Sequence, residues 1–182
     1  MLPIEDNGLA VWHGRRLRFL HTLGHATHHF CIHDEETNVI FTGDNFGIGR
    51  SSLMRPGPDF LICSCTPPEF DAPQARIALA RILETGADTA CIGHFGPFTD
   101  LERCAKQLLR SIGLCEGILF AAVDSGLEGG ELTSFCIDSV AKSMPSFLAW
   151  CGVDNVQDDL AWLEGDIALN GMGLAAAATR LR

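Results

Sequence analysis

Positive charge is scarce in this 182-residue chain: 13 lysines and arginines stand against 23 aspartates and glutamates, a formal net charge of −10. Nucleic acids and anionic membrane surfaces are held by basic patches, so neither is expected as the main partner. Long apolar runs are missing too. The longest, residues 112–123, is interrupted by Glu116 and falls short of the ~20 residues a membrane-spanning helix needs. The opening MLPIEDNGLAV is acidic and lacks the basic and apolar segments of a secretory signal. A soluble, cytoplasmic chain is the expectation. There is no internal repeat, no low-complexity tract and no CxxC pair. The eight cysteines are scattered, with Cys63 and Cys65 the one close pair. Most lie among apolar neighbours, where free cysteine acts as a small hydrophobe. Reduced core thiols are therefore expected ahead of a disulfide or zinc-knuckle framework.

What is present is ordinary globular material. An apolar content of 47% over this length suits one domain, with a helical appendage, and a core that needs no disulfides. Residues 9–13 and 16–21 are short β-prone runs that form a hairpin across Gly14-Arg15. Residues 28–33 alternate, with Phe30 and Ile32 on one face and His29, Cys31 and His33 on the other. A turn over residues 34–38 leads into the apolar strand 39–42, which ends at Gly43-Asp44. Residues 46–70 are rich in Gly, Ser and Pro and read as loop, with a short strand at 60–63 and a rigid extended Thr66-Pro67-Pro68.

A helix follows. Pro73 suits its first turn, Ala75, Ala78, Leu79, Ile82 and Leu83 keep helical spacing, and Gly86 is a good stop. Strand 89–92 then delivers Gly93-His94. From Thr99 the pattern is helical. Thr99 and Glu102 have the form of a capping box, and Leu101, Ala105, Leu108, Leu109 and Ile112 make one stripe. A second helix is predicted over residues 130–144, ending near Pro145. A third begins near Asp154 and carries Val156, Leu160, Leu163, Ile167 and Leu174.

Chemistry concentrates in residues 21–45, which hold five histidines in 25 positions. His25 follows Gly24 at the end of a strand-like run, Asp44 follows Gly43, and His94 follows Gly93. Glycine permits a sharp turn that brings a ligand-bearing side chain to a strand end. Taken singly, each residue has a plainer role. His25 and His94 could be hydrogen-bonded histidines, and Asp44 a turn aspartate. Three such residues, each after a glycine and a strand, point to one pocket. His25 and His29 are four apart, but the helical zinc motif with that spacing needs Glu after the first His, and Ala26 stands there.

TLGHATHH (22–29), FTGDN (41–45) and GHFGP (93–97) resemble, in this order, the later motifs of metallo-β-lactamase-fold hydrolases, the superfamily that includes glyoxalase II-type thioester hydrolases. The likeness covers residues 9–98, and the helical tail is similar to an extension many of those hydrolases carry. It implies an α+β fold: the second half of an αββα sandwich, a mixed sheet with a flanking helix, over residues 1–98, then a helical C-terminal region over 99–182. It further implies His25 as ligand of a first metal, Asp44 as the bridging, catalytic carboxylate and His94 as ligand of a second metal. His29 becomes a supporting histidine, with a plain sheet-face role the alternative. Two divalent ions are implied, zinc foremost, with iron or manganese also suited to such donors. Leu23 stands where the family usually has proline.

The family's HxHxDH motif is absent. Each metal position then keeps one histidine and a share of Asp44, whereas a catalytic zinc usually has about three protein ligands and a water. The resemblance thus implies ester- or thioester-type hydrolysis of a small molecule by metal-bound hydroxide, in a truncated chain whose dinuclear site is incomplete. The alternative is an inactive remnant or subunit that folds against a complementing chain or a second copy, since the uncovered sheet would expose an apolar patch.

Overall fold

A computed structural model describes residues 4–53, 57–65, 69–94 and 96–182; the expected extended Thr66-Pro67-Pro68 lies outside them. Two strands, β1 (Leu9–Trp12) and β2 (Arg15–His21), form the expected hairpin, with His13 and Gly14 both at positive φ in its turn. β3 (Phe30–Asp34) and β4 (Val39–Gly43) continue the antiparallel meander, and β7 (Thr89–Ile92) joins β4 in parallel. The order β1-β2-β3-β4-β7 makes one mixed five-stranded sheet.

The crossover between the two parallel strands contains a 3-10 turn (Asp44–Phe46), a small hairpin of β5 (Ile48–Arg50) and β6 (Phe60–Ile62), and helix α1 (Ala72–Glu84). Asp71 caps α1 by accepting from the Gln74 amide at 2.9 Å, Pro73 sits in the first turn, and Gly86 ends it at positive φ. Four helices complete the chain: α2 (Leu101–Asp124), α3 (Gly129–Trp150), α4 (Val156–Trp162) and α5 (Glu164–Leu181). No helix of the described residues is long and apolar enough to cross a membrane.

Strand alternation sorts the sheet into two unlike faces. Leu20, Cys31, Ile40, Ala90 and Ile92 point inward, packing with Leu79 and Ile82 of α1 and Leu101, Cys104 and Leu108 of α2. Phe19, Ile32, Phe41 and Cys91, consecutive register partners, point outward. Phe41 is 47% exposed and Phe30 41%, and on the edge strand Val11 reaches 72% and Trp12 60%. An apolar row across an open sheet is unusual for a finished soluble surface. The far half of α2 turns to a second core, where Ile112, Cys115, Leu119 and Ala122 meet β5, β6, α3 and α5.

Several local expectations need correction. β5 lies inside a stretch read as loop; three buried residues are too few for a visible period. Helix α2 is capped by Asp100, which accepts from the Arg103 amide at 3.0 Å, rather than by Thr99. Leu109 is exposed, because its position rotates off the face that Leu108 and Ile112 bury. His33, on the face of Cys31, is buried, and its Nε2 meets Asn38 Oδ1 at 3.0 Å.

Helix α3 runs through Pro145 to Trp150. Proline removes one helical hydrogen bond, to the carbonyl of the residue four before it. Ala141 and Pro145 both lie on the exposed side, so water can serve that carbonyl, while buried Met144, Phe147 and Leu148 hold the helix onto the core. The third predicted helix is two, broken at fully buried Leu163. The first of them, α4, is directed by an ion pair between Asp159 and Arg50 (3.2 Å) and by Trp162 edge-on to Phe60.

Candidate metal centre at the strand ends

β4 and β7 end side by side, and the ladder continues one step further through the Gly93 amide, which donates to the Gly43 carbonyl at 3.0 Å. The residues just beyond, Asp44 and His94, are therefore neighbours. Phe98, 1% exposed, pairs back onto Ala90 through two 2.9 Å hydrogen bonds and anchors the far side of the His94 turn. His25 arrives from the loop after β2. Gly24 lets that loop press on the start of α1: at φ +113 a side chain would be strained, and a Cβ would lie 2.4 Å from the Ala75 nitrogen.

The three residues converge on one carboxylate. His25 Nε2 lies 3.5 Å from Asp44 Oδ2, and His94 Nε2 lies 3.4 Å from Asp44 Oδ1. Each carboxylate oxygen thus faces a different imidazole. Both separations exceed a good N–H···O hydrogen bond, about 2.9–3.0 Å. They match two ligands of a shared ion, which at bond lengths of roughly 2.0–2.1 Å and near-tetrahedral angles lie about 3.3–3.4 Å apart. His25 is nearly enclosed, His94 half-exposed, and Asp44 lies between them in accessibility.

The surroundings orient these groups. His25 Nδ1 faces the Ser64 carbonyl at 3.5 Å; a proton on Nδ1 leaves the Nε2 lone pair turned to Asp44. Gly93 packs directly on the carboxylate, for a Cβ there would stand 2.5 Å from Asp44 Oδ1. A cavity of about 10 Å³, room for one water, lies beneath His25 and Asp44, lined in part by Cys63, Ser64, Phe70 and Leu108.

His29 sits behind the centre. Its ring is edge-on to His25 at 5.8 Å between centroids. Its Nδ1 lies 3.0 Å from Thr22 Oγ1 and accepts from Asn45 Nδ2 at 2.7 Å. Burial, followed by the charge of His25, pushes the His29 pKa below its usual value, so the ring is a neutral brace rather than a cation. Thr22 and Asn45, which the sequence reading passed over, flank His25 and Asp44 in the motifs themselves. Asp166 was also missed: α5 brings it into the field of His94, and burial holds its carboxyl above the usual range. No sequence pattern links it to that histidine. His28 and His33 do not reach the centre among the described contacts.

Among the described residues, no third His, Cys, Asp or Glu closes around either the His25–Asp44 or the His94–Asp44 pair. A roomier cavity, about 630 Å³, lies elsewhere, between β2 and the C-terminal end of α1, at the opposite end of the sheet.

Comparison with known proteins places the chain. The family model described as the metallo-beta-lactamase superfamily matches residues 2–94. An atrochrysone carboxyl ACP thioesterase of Paecilomyces divaricatus is 44% identical over 52 residues, 28% of this chain and 17% of that protein. A lactamase-like protein of Neosartorya fischeri is 39% identical over 54 residues, 30% of this chain and 16% of that one. The fold is similar to the crystal structure of a metallo-beta-lactamase family protein from Thermus thermophilus, with a TM-score of 0.53 and 23% identity. That match covers 98% of this chain but 48% of the other. The chain therefore spans about half the length of its solved neighbour, and its alignments to the two curated relatives cover less than a fifth of theirs.

Proposed function

The chain belongs to the metallo-beta-lactamase superfamily, and on that footing we propose that it is one half of a metal-dependent hydrolase acting on an acyl thioester or related ester. The observation that carries the reading is the Asp44 carboxylate, each of whose oxygens faces a separate imidazole at 3.4–3.5 Å. The thioester preference rests on the name of the Paecilomyces relative.

The donor set suits the implied metals in kind: two neutral imidazoles and a carboxylate are ligands for zinc, iron or manganese. It is short in number, with two donors on each side of Asp44. His25 and Asp44 would hold one ion, and His94 and Asp44 the other. A bound divalent cation supplies a Lewis acid and a source of nucleophilic oxygen near neutral pH. The chain's own residues do the rest. Asp44 keeps the two positions in fixed relation and sets negative charge between them. The Ser64 carbonyl holds His25 in one tautomer. His29, neutral and braced by Thr22 and Asn45, keeps the His25 ring from rotating. The half-exposed His94 forms the open side, where a small acyl substrate would approach.

The test is metal titration of the 182-residue protein with zinc and manganese, alongside hydrolysis of a simple acyl thioester. Weak, readily dissociated binding that Asp44→Ala abolishes, with little hydrolysis, is the expected result. Binding indifferent to Asp44 would sink the ligand assignment. Tight stoichiometric metal with rapid turnover would sink the half-site reading.

A second reading draws on the open outer face of the sheet, where Phe30, Phe41 and Trp12 are exposed. Here the chain is an inactive subunit that folds against a complementing polypeptide or a second copy of itself, in a reducing compartment such as the cytoplasm. Light scattering that shows a monodisperse monomer, with no binding of an apolar dye to that face, would count against it.

A further inference from the structure

All eight cysteines are free and seven are buried, and most are plain core groups. Burial pushes the Cys31 thiol up to about 11 and those of Cys104 and Cys151 to about 12. Three others form a cluster. Cys63 and Cys65 follow β6, and their i, i+2 spacing in extended chain turns both side chains to one face; Cys115 meets them from the middle of α2. The Sγ atoms of Cys63 and Cys115 are 3.3 Å apart, those of Cys63 and Cys65 3.7 Å, and all three lie within 4.8 Å of one another. We infer that Cys63, Cys65 and Cys115 form a binding site for one soft, thiophilic cation, Zn²⁺ or Cu⁺, separate from the histidine–aspartate centre.

Geometry is the first argument. Sulfurs bound to one ion at about 2.3 Å lie roughly 3.8–4.0 Å apart; the 3.3 and 3.7 Å separations fall a little short of that, so an ion would spread the sulfurs by a few tenths of an ångström. A disulfide would need sulfurs at about 2.05 Å. The second argument is preorganisation. The Cys63 amide donates to Ser111 Oγ at 2.8 Å. The side chain of Asn170, 2% exposed, spans the Cys–Ser–Cys stretch: its Oδ1 accepts from the Cys65 amide at 2.7 Å and its Nδ2 donates to the Cys63 carbonyl at 3.0 Å. A buried asparagine and a buried serine thus hold the two sulfurs facing α2.

Donor chemistry supplies the third: soft sulfur ligands select such ions. Binding expels the thiol protons to solvent, with no change of oxidation state. The same stretch presents the Ser64 carbonyl to His25, so an ion here would stiffen the support of that histidine.

The experiment is titration of the reduced protein, kept in a non-thiol reductant, with Cd²⁺ as a spectroscopic probe and with Zn²⁺ against a chromophoric chelator. A sulfur-to-metal charge-transfer band that saturates at a single equivalent is expected. It should survive Asp44→Ala and Cys136→Ser but weaken by about tenfold or more in Cys65→Ser and Cys115→Ser. Zinc-edge X-ray absorption of the unmodified protein, reporting three sulfurs at about 2.3 Å, gives a readout that holds even if a cysteine variant fails to fold. Absence of the band, a band that outlasts loss of Cys115, or a metal-free Cys63–Cys115 disulfide in protein purified without reductant would each overturn the assignment.

Discussion

Replacing Gly93 with alanine should separate the metal centre from the stability of the fold. The added Cβ would stand 2.5 Å from Asp44 Oδ1 and 3.4 Å from the Gly43 carbonyl carbon. The second distance is ordinary contact, so the clash is with the carboxylate alone. Relief needs Asp44 to retreat by roughly 0.5–1 Å, and its partly exposed side chain has room to do so. The fold then loses little, on the order of 1 kcal/mol, the low end of overpacking costs. The centre loses more, because one displaced carboxylate serves both imidazoles. Disturbed support of ligands typically costs about 10–100-fold in metal affinity. Manganese or zinc affinity, measured by chelator competition beside a urea melt, reads the two effects apart. Affinity unchanged in Gly93→Ala would refute the view that this carboxylate holds the ion. A loss of stability larger than about 3 kcal/mol would refute the view that the contact is local.

Three other perturbations test the packing that presents the centre. Arg50→Met strips the buried Asp159 carboxylate of the guanidinium 3.2 Å away and should cost about 3–5 kcal/mol in urea unfolding; an Arg50→Met, Asp159→Leu double variant should recover most of that. Gly171→Ala sets a Cβ 2.5 Å from the Ile137 Cα on the facing helix. The helix-propensity gain of about 1 kcal/mol should be outweighed, because backbone cannot yield as a side chain can, and the melting temperature should fall. Asn170→Ala leaves the Cys63 carbonyl and Cys65 amide without their shared partner. At about 1–3 kcal/mol for each buried polar group left unpaired, calorimetry should find a large loss, and a variant as stable as the parent would show that the clamp is not structural.

The centre was legible because it is made of local units. Glycine and then a ligand at a strand's end is a pattern that His25, Asp44 and His94 each display, and β4 and β7 were readable as apolar runs. The alternation of residues 30–33 was equally plain, and β3 obeys it. Less visible were features that depend on partners distant in sequence. Nothing around Pro145 announces that its freed carbonyl will face water, and nothing around Leu163 says that α4 must turn aside to pair Asp159 with Arg50. Asp166 and the Cys115 sulfur carry no local mark of the groups they approach.

The division has a physical basis. Periodicity, turn glycines and strand-end ligands act over a few residues, and a single chain read in order contains them; they determined the mixed sheet, helix α1 and the identity of the three candidate ligands. Distances between side chains are set by packing. The tertiary structure alone decided that the two oxygens of Asp44 face different imidazoles and that one face of the sheet stays open. It alone drew three sulfurs together across 52 residues of chain, because only the docking of α2 and α5 on β6 fixes where those groups meet.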